Sequence, residues 1–420
     1  MTQSNENTHT NKSLIHNLEI DGLTHDGRGV ARHEGKAIFV SHAVPGDKVT
    51  VKIIQTQAKF DEAELIEIEQ ASSDRTVPFC PVYNECGGCQ LQHLSIDAQR
   101  HWKAEDFVTR LTQSVNSKHC KIQPPLTGDD TGYRRRARFG LSISKIDKVA
   151  RLGFRQKASN ELVDIEHCPV LTPALNQALK DQRPVLIEQA SRAYKEITFV
   201  EADNGVFITS STDQTSVSLE PMYDIEGLNL HFPADGFVQV NSQQNQQMVH
   251  QAMAWLELES KHNVLDLFCG VGNFTLPIAK HAKRVTGVEG LKTLVEIAEH
   301  NAQANQIENV EFVKTDIFEN FGHALWFKQQ TYHRILLDPG RQGAFEVCKV
   351  LHELKPEIIV YVSCNASTLI RDIKELEKQG YQLHKAGLID MFPHTTHTEV
   401  MVQLKKGNKK IKRHKKVFKF

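Results

Sequence analysis

The sequence predicts an α/β fold: a doubly wound parallel sheet in the carboxyl-terminal half, preceded by a small barrel and a mixed central segment. Three observations carry that expectation. From Lys261 onward, short apolar runs alternate with helical segments, the pattern of repeated β–α units. From about His16 to Ile68 the runs are shorter, alternate in polarity and are broken by glycines. At 420 residues the chain exceeds one ordinary domain, and two to four are expected.

Composition supports a globular chain with real cores, since 40% of residues are hydrophobic and 24% charged. The longest apolar run, around Pro356–Val362, is too short to span a bilayer and reads as a buried strand. The leading MTQSNENTHTNKS lacks the apolar core of a signal peptide, so a cytoplasmic protein without a membrane partner is expected. A net charge of −1 does not by itself suggest a nucleic-acid partner, but the distribution does. The last sixteen residues, KKGNKKIKRHKKVFKF, carry nine Lys or Arg and no acid, and YRRRARFG at Tyr133–Gly140 forms a second basic cluster. A tail alone is more often a solvated appendage; two basic segments with interleaved aromatics point to a phosphate backbone.

The barrel segment reads as strands in LEIDGLTHDGRGVARHEGKAIFV, VPGDKVTVKII and AELIEIE. Evenly spaced short strands of this kind suggest an OB-fold, with Arg28, Arg32 and Lys36 as RNA-contact candidates, although any barrel scatters such charges. The central part holds a helix over Ile96–Val115, with Ile96, Trp102, Phe107, Leu111 and Val115 near one face. The expected division is 1–72 barrel, 73–230 central domain, 231–406 doubly wound domain and 407–420 basic tail.

In the last large domain, Asn263–Phe268, Arg284–Glu289, Glu311–Asp316, Arg334–Asp338 and Ile358–Ser363 are the expected strands. Leu291–Asn305 is the clearest helix, with Leu291, Leu294, Val295, Ala298 and Ala302 on one face. Ligands of such sheets sit beyond the carboxyl ends of the strands. The first strand leads into VLDLFCGVGNFTLPIA, where Gly270 and Gly272 let the backbone approach a ligand. Glu289 ends the second strand, placed for ribose hydroxyls, and Asp316 ends the third, placed for an adenine amino group. With Asp266 these make three carboxylates at successive strand ends, and no G-x-x-x-x-G-K-[ST] phosphate loop is present. A ligand with ribose, adenine and a cationic amino-acid end fits, and S-adenosylmethionine is such a ligand.

Cys364 follows the fifth strand and precedes a helix beginning near Ala366, a position expected to favour the thiolate. An isolated cysteine is more often packing; its place opposite the glycine loop shifts the reading toward reactivity. Glu399, in MFPHTTHTEVMVQL, opens a final apolar strand near His394 and His397 and could serve as a base. Eight cysteines are present, and Cys80, Cys86 and Cys89 stand in C-x5-C-x2-C spacing around Gly87 and Gly88. That density suits metal ligands rather than packing, with zinc and an iron–sulfur cluster both compatible with the spacing.

VLDLFCGVGNFTLPIA, LLDPGRQG, VYVSCNASTL and MFPHTTHTEVMV, in this order, resemble the RNA uracil-5-methyltransferases over essentially the whole chain. The resemblance implies a Rossmann-like class I methyltransferase domain, an amino-terminal TRAM barrel of the OB type, and a central iron–sulfur domain. It places the nucleophile at Cys364 and the proton-abstracting base at Glu399. The S-adenosylmethionine contacts fall on Gln239, Phe268, Asn273, Glu289, Asp316 and Asp338. CPVYNECGGCQLQHL with Cys168 resembles the subgroup that holds a 4Fe–4S cluster on Cys80, Cys86, Cys89 and Cys168. The barrel together with that motif resembles members that act on 23S ribosomal RNA, transfer RNA being the nearest rival substrate; a monomer is expected. One departure stands out: Gly340 occupies a place where the family has Pro or Ala, and a looser loop before Arg341 is the expected consequence.

Two other enzyme classes share part of the pattern. DNA cytosine-5-methyltransferases resemble a Pro-Cys motif, whereas Ser363 precedes Cys364 here. Radical S-adenosylmethionine enzymes resemble C-x3-C-x2-C, which is absent. A non-catalytic RNA-binding protein would explain the barrel and tail but not Cys364 and Glu399 beside the cofactor loop.

Overall fold

A computed structural model describes residues 14–210, 220–318, 321–322, 324–328 and 331–407. The amino-terminal lead-in and all of the basic tail beyond Gly407 lie outside the described residues. The chain folds as two compact units. The first comprises Met1–Trp102 with His394–Thr396, and the second Lys103–Pro393 with His397–Phe420.

The first unit contains β1 (Leu14–Glu19), β2 (Gly22–Leu23), β3 (Gly29–His33), β4 (Lys36–Val40), β5 (Lys48–Thr56) and β6 (Phe60–Gln70), in the sheet order β1-β5-β6-β4-β3-β2. Because β2 follows β1 almost directly, one bent strand supplies both ends of the sheet and closes it, as in an OB barrel. Leu18, Ile20, Ala31, Ile38, Val40, Val49 and Val51 fill its interior, the inward half of the polar–apolar alternation. Buried Asp47 fixes the corner after β4. It accepts from the Val44 amide at 2.7 Å and the Ser72 amide at 2.9 Å, and pairs with Arg75. Of the expected RNA contacts, Arg28 is paired with Asp26 and Glu62, and Lys36 lies 2.6 Å from Asp61, while Arg32 is exposed.

Helix α1 (Ile96–Ser114) carries the boundary between the units. In the second unit, β7 (Lys121–Ile122) is followed by β8 (Arg136–Ile143), β9 (Ala150–Arg155), β10 (Leu162–Asp164), α2 (Pro173–Glu188), β11 (Lys195–Ala202) and β12 (Gly205–Ser210). Strands β8 to β12 form an antiparallel sheet ordered β10-β9-β8-β11-β12. The basic cluster at its start differs from expectation: Arg135 and Arg136 are buried, so they cannot serve as a phosphate patch. Arg135 Nε donates to the Gln239 carbonyl at 2.8 Å and its guanidinium lies 4.8 Å from the Tyr223 ring centroid; Arg136 donates to the Asp235 carbonyl at 2.9 Å. Guanidinium groups have donors enough to tie down loop carbonyls, which is what these two do. Arg138, exposed, faces Glu196.

The hairpin β13 (Met222–Ile225) and β14 (Leu228–His231) and helix α3 (Ser242–Leu256) lead into the large sheet. Its elements are β15 (Asn263–Leu267), α4 (Thr275–Ala279), β16 (Arg284–Glu289), α5 (Lys292–Ala304), β17 (Val310–Lys314), α6 (Leu325–Lys328), β18 (Arg334–Leu337), α7 (Phe345–Cys348), α8 (Leu351–Leu354), β19 (Ile358–Ser363), α9 (Ala366–Lys378), β20 (Tyr381–Ile389) and β21 (Glu399–Lys406). The order is β17-β16-β15-β18-β19-β21-β20-β7. Successive side chains divide between two cores, as period-2 alternation requires. Leu265, Leu267, Ile335, Leu337, Ile359 and Tyr361 join the core that includes α9, and Val264, Leu336, Ile358, Val360 and Val362 join the core that includes α3 and α4. The five β–α strands are parallel, as expected, but β21 is antiparallel to both β19 and β20. A strand pair joined by a short loop needs no crossover helix, and β20–β21 is joined that way. Leu291 also departs from its expected face: it lies just ahead of α5 and is 61% exposed, and Asn301 takes the buried place. Among the described residues no helix is long and apolar enough to cross a membrane.

Candidate active site

The carboxyl ends of the parallel strands gather the predicted groups. Phe268, one residue past β15, has φ of +67°, a left-handed conformation costly for a bulky side chain. Its amide still donates to the Val288 carbonyl at 2.9 Å, so the chain turns sharply while held to β16. Gly270 and Gly272 follow with φ of +55° and +97°. Nothing lies within 4 Å of where a Cβ on Gly270 would stand, which leaves open space beside that backbone.

Glu289 ends β16. Its Oε2 accepts from the Gly270 amide at 3.1 Å, and its Oε1 from the amides of Gly290 at 2.8 Å and Leu291 at 3.0 Å. Three backbone donors fix the orientation of a carboxylate that stays partly exposed. Asp316 lies two residues past β17, exposed, accepting from the Phe318 amide at 2.9 Å. Asn273 is held by reciprocal amide bonds with Asn245 at 2.9 and 3.0 Å, and receives the Tyr223 hydroxyl at 2.9 Å. Gln239, half-buried, is held through its carbonyl by Arg135. Asn245 and Tyr223 were not singled out from sequence, and Arg135 was read only as part of a basic cluster. Asn245 stands four residues after Asn241, the α3 N-cap, in the polar first half of the helix, where nothing in the sequence set it apart from the glutamines around it.

Asp266 corrects one expectation. It is fully buried inside β15, its Oδ2 accepting the Thr275 hydroxyl at 2.5 Å, and so is not a surface carboxylate beside Glu289 and Asp316. Burial, with Asp338 and Glu289 nearby, pushes its carboxyl up to about 8.

Cys364 follows β19, and Asn365 caps α9 by accepting the Ser367 amide at 3.0 Å. Among Cys269, Cys348 and Cys364, the first two are buried and Cys364 is partly open. Glu399 opens β21 and is only 4% exposed. Asp338 follows β18, with its amide 3.3 Å from the Leu267 carbonyl. The neighbouring strands β18, β19 and β21 therefore deliver a carboxyl, a thiol and a carboxyl to one end of the sheet.

Their electrostatics run against the thiolate that the helix terminus would favour. Burial, then the carboxyls of Glu399 and Asp338, push the Cys364 thiol up to about 11, with Arg341 pulling the other way. Burial pushes Asp338 up to about 7, and burial with Asp338 beside it holds Glu399 well above the usual carboxylate range. Two buried like charges cannot both ionise cheaply, so the pair retains a proton near neutrality. The loop before Arg341 is also firmer than expected. The Arg341 carbonyl accepts from the Asn365 amide group at 3.1 Å and the Thr368 hydroxyl at 3.2 Å, and Gly340 needs no left-handed backbone.

Of the four cysteines expected to hold a cluster, Cys80, Cys86 and Cys89 lie on a loop of reverse turns in the first unit, and Cys168 belongs to the second. The Cys168 amide donates to Asn176 at 2.9 Å and its carbonyl accepts from the same side chain at 3.0 Å. Among the described residues no group of three or more His, Cys, Asp or Glu side chains is positioned to hold a metal ion.

The chain is similar to known proteins. The family described as tRNA (Uracil-5-)-methyltransferase matches residues 212–407, and the TRAM domain matches residues 16–66. A 23S rRNA (uracil(1939)-C(5))-methyltransferase RlmD of Shewanella sediminis is 39% identical over 419 residues, covering 91% of this chain and 94% of the relative. The protein of the same name from Photorhabdus laumondii is 40% identical, covering 93% of this chain and 96% of the relative. Among solved structures, the Pyrococcus abyssi tRNA (uracil-54, C5)-methyltransferase in complex with S-adenosyl-L-homocysteine superposes with a TM-score of 0.71 at 24% identity, over 93% of this chain and 100% of that one. At that identity the likeness is one of fold.

Proposed function

The chain belongs to the RNA uracil-5-methyltransferase family, and from that premise we infer that it transfers a methyl group from S-adenosylmethionine to C5 of uracil 1939 in 23S ribosomal RNA. The observation that carries the reading is the delivery of Cys364 and Glu399 by adjacent strands to the end of the sheet that bears the glycine loop, Glu289 and Asp316. The strand ends suit the donor's parts. An anchored acid at Glu289 suits ribose hydroxyls, Asp316 an adenine amino group, and Gln239, Asn273 and Asp338 the amino-acid end. Phe268 offers an apolar ring, 5.4 Å from that of Phe318. When bound, S-adenosylmethionine supplies an electrophilic methyl on a sulfonium.

C5 of uracil is a weak nucleophile, and Cys364 remedies that by adding its sulfur to C6, which places enolate character on C5. C5 takes the methyl as the bond from methyl to sulfonium sulfur breaks. Glu399 then removes the C5 proton, and the C6–sulfur bond breaks to return the Cys364 thiolate. Burial holds the Cys364 thiol protonated in the resting site, so the bound sulfonium's positive charge would favour the thiolate that adds to C6, its proton passing to solvent.

The barrel of residues 1–72 serves as an RNA-binding TRAM module, residues 73–230 as the central domain and residues 231–406 as the methyl-transfer domain. The 4Fe–4S assignment to Cys80, Cys86, Cys89 and Cys168 is supported by thiol chemistry, spacing and resemblance; the side chains here do not themselves form a metal-holding group, and no step above passes through a cluster. The decisive experiment is transfer of labelled methyl to unmodified 23S ribosomal RNA, followed by mapping of the product. Label at C5 of uracil 1939 supports the reading, and label confined to transfer RNA replaces the substrate.

A further inference from the structure

Lys103 is 1% exposed and Asp390 2% exposed, yet neither is among the groups that touch the reacting atoms in the mechanism above. Lysine is almost never this buried unless paired, and Lys103 donates to Asp390 Oδ1 at 2.9 Å and to the Phe392 carbonyl at 2.9 Å. It projects from α1, whose Phe107, Leu111 and Val115 lie in the same core as Leu265 and Tyr361 of the large sheet. Asp390 comes directly after Ile389, the last residue of β20, and Ile389 is the cross-strand partner of Glu399. Two further bonds hold the same segment: the Asp390 amide donates to the Leu126 carbonyl at 2.9 Å, and the Tyr133 hydroxyl donates to the Pro393 carbonyl at 3.0 Å.

A buried ion pair is a poor device for stability, because an apolar pair of similar volume is often as stable or more so. What it supplies is direction. An ammonium with two fixed acceptors sets both the side chain of Asp390 and the backbone of Phe392, where apolar packing would let them slide. We propose that Lys103 and Asp390 are positioning residues for Glu399, a buried latch that fixes the end of β20 and thereby the carboxyl that faces Cys364. The proposal rests on Glu399 as the base that removes the C5 proton. It predicts that loosening the latch impairs proton removal more than the steps before it.

The test compares Lys103→Met/Asp390→Leu with Glu399→Gln and the unmodified full-length protein, each with labelled S-adenosylmethionine and 23S ribosomal RNA. The double substitution removes both charges together, so neither is left buried without the other. Affinity for S-adenosylhomocysteine is expected to be unchanged, turnover to fall on the order of tenfold to a hundredfold, the scale of a displacement of about 1 Å, and a denaturant-resistant protein–RNA adduct carrying the methyl to accumulate. A merely structural defect would lower adduct and turnover together, and that result, or unchanged turnover, overturns the latch. If Glu399→Gln accumulates no methylated adduct, the assignment of the base fails; if it does while the double variant does not, only the latch fails. Should the double variant not fold, Lys103→Met/Asp390→Asn, which also removes both charges and the ammonium's two bonds but keeps a polar side chain at position 390, is read the same way, with the same two outcomes.

Discussion

Cys364 and Glu399 stand one residue beyond the same cross-strand pair, Ser363 of β19 with Val400 of β21, so the thiol and the carboxyl leave adjacent antiparallel strands at one level. Cross-strand neighbours of that kind have Cβ atoms about 5 Å apart, close enough for one pyrimidine ring to engage both. Nucleophile and base act on C6 and C5, adjacent atoms of that ring.

The first prediction separates their roles. Cys364→Ala should abolish turnover and leave binding of S-adenosylhomocysteine intact, and RNA carrying 5-fluorouridine at the target should trap the unmodified enzyme, because fluorine cannot leave as a proton does. The trap should persist in Cys269→Ala and Cys348→Ala, whose thiols are buried. Gel mobility under denaturing conditions reads the result, and a trap surviving in Cys364→Ala would place the nucleophile elsewhere.

The second concerns pH. Burial, Glu399 and Asp338 raise the Cys364 thiol to about 11 while Arg341 lowers it. Alkylation of Cys364 by iodoacetamide in the ligand-free protein should therefore climb steadily through pH 8 to 10, since only the thiolate reacts. Glu399→Gln should move that profile to lower pH and Arg341→Gln to higher pH, as peptide mass spectrometry would follow. Shifts of opposite sign would refute the charge balance.

Asp266 supplies the third. Its folded-state pKa lies near 8, against an ordinary 3.8, chiefly through burial. The folded state thus holds a proton that the unfolded state has released, and stability is lost as pH rises across that window, by about 1.4 kcal/mol per pH unit at most. Asp266→Asn should remove this slope, so its melting temperature relative to the unmodified protein should rise between pH 5 and pH 8. A difference that stays constant with pH would show that Asp266 is ionised when buried.

The fourth tests the cysteines. Protein purified without oxygen should be brown, with iron and sulfide near four equivalents each if Cys80, Cys86, Cys89 and Cys168 hold a cubane cluster. Colourless protein containing zinc alone would replace it, and metal-free protein would remove both readings.

The fifth tests the tail. Removing Gly407–Phe420 should flatten the salt dependence of RNA affinity by roughly 0.7–0.9 in slope for each phosphate that is no longer neutralised. Binding of S-adenosylhomocysteine should be unaffected. An unchanged slope makes the tail a solvated appendage.

The sequence by itself determined the parallel strands, the glycine turn and the places of Cys364 and Glu399 along the chain, because period-2 runs, glycines and strand ends are local properties. Arg284–Glu289 and Ile358–Ser363 were legible to the residue. Local pattern could not tell that Arg135 and Arg136 would be buried against the segment before α3, or that Asp266 would bond Thr275 rather than face a ligand. The antiparallel run of β21 beside β19 was equally invisible, although it sets Glu399 level with Cys364. Only the tertiary structure decided the protonation of the site. The acidity of the Cys364 thiol depends on dielectric and on charges contributed by β18 and β21, groups tens of residues away in sequence whose Coulomb effect follows distance in space. A helix terminus beside the cysteine was visible in the sequence; the burial that chiefly raises its thiol was not.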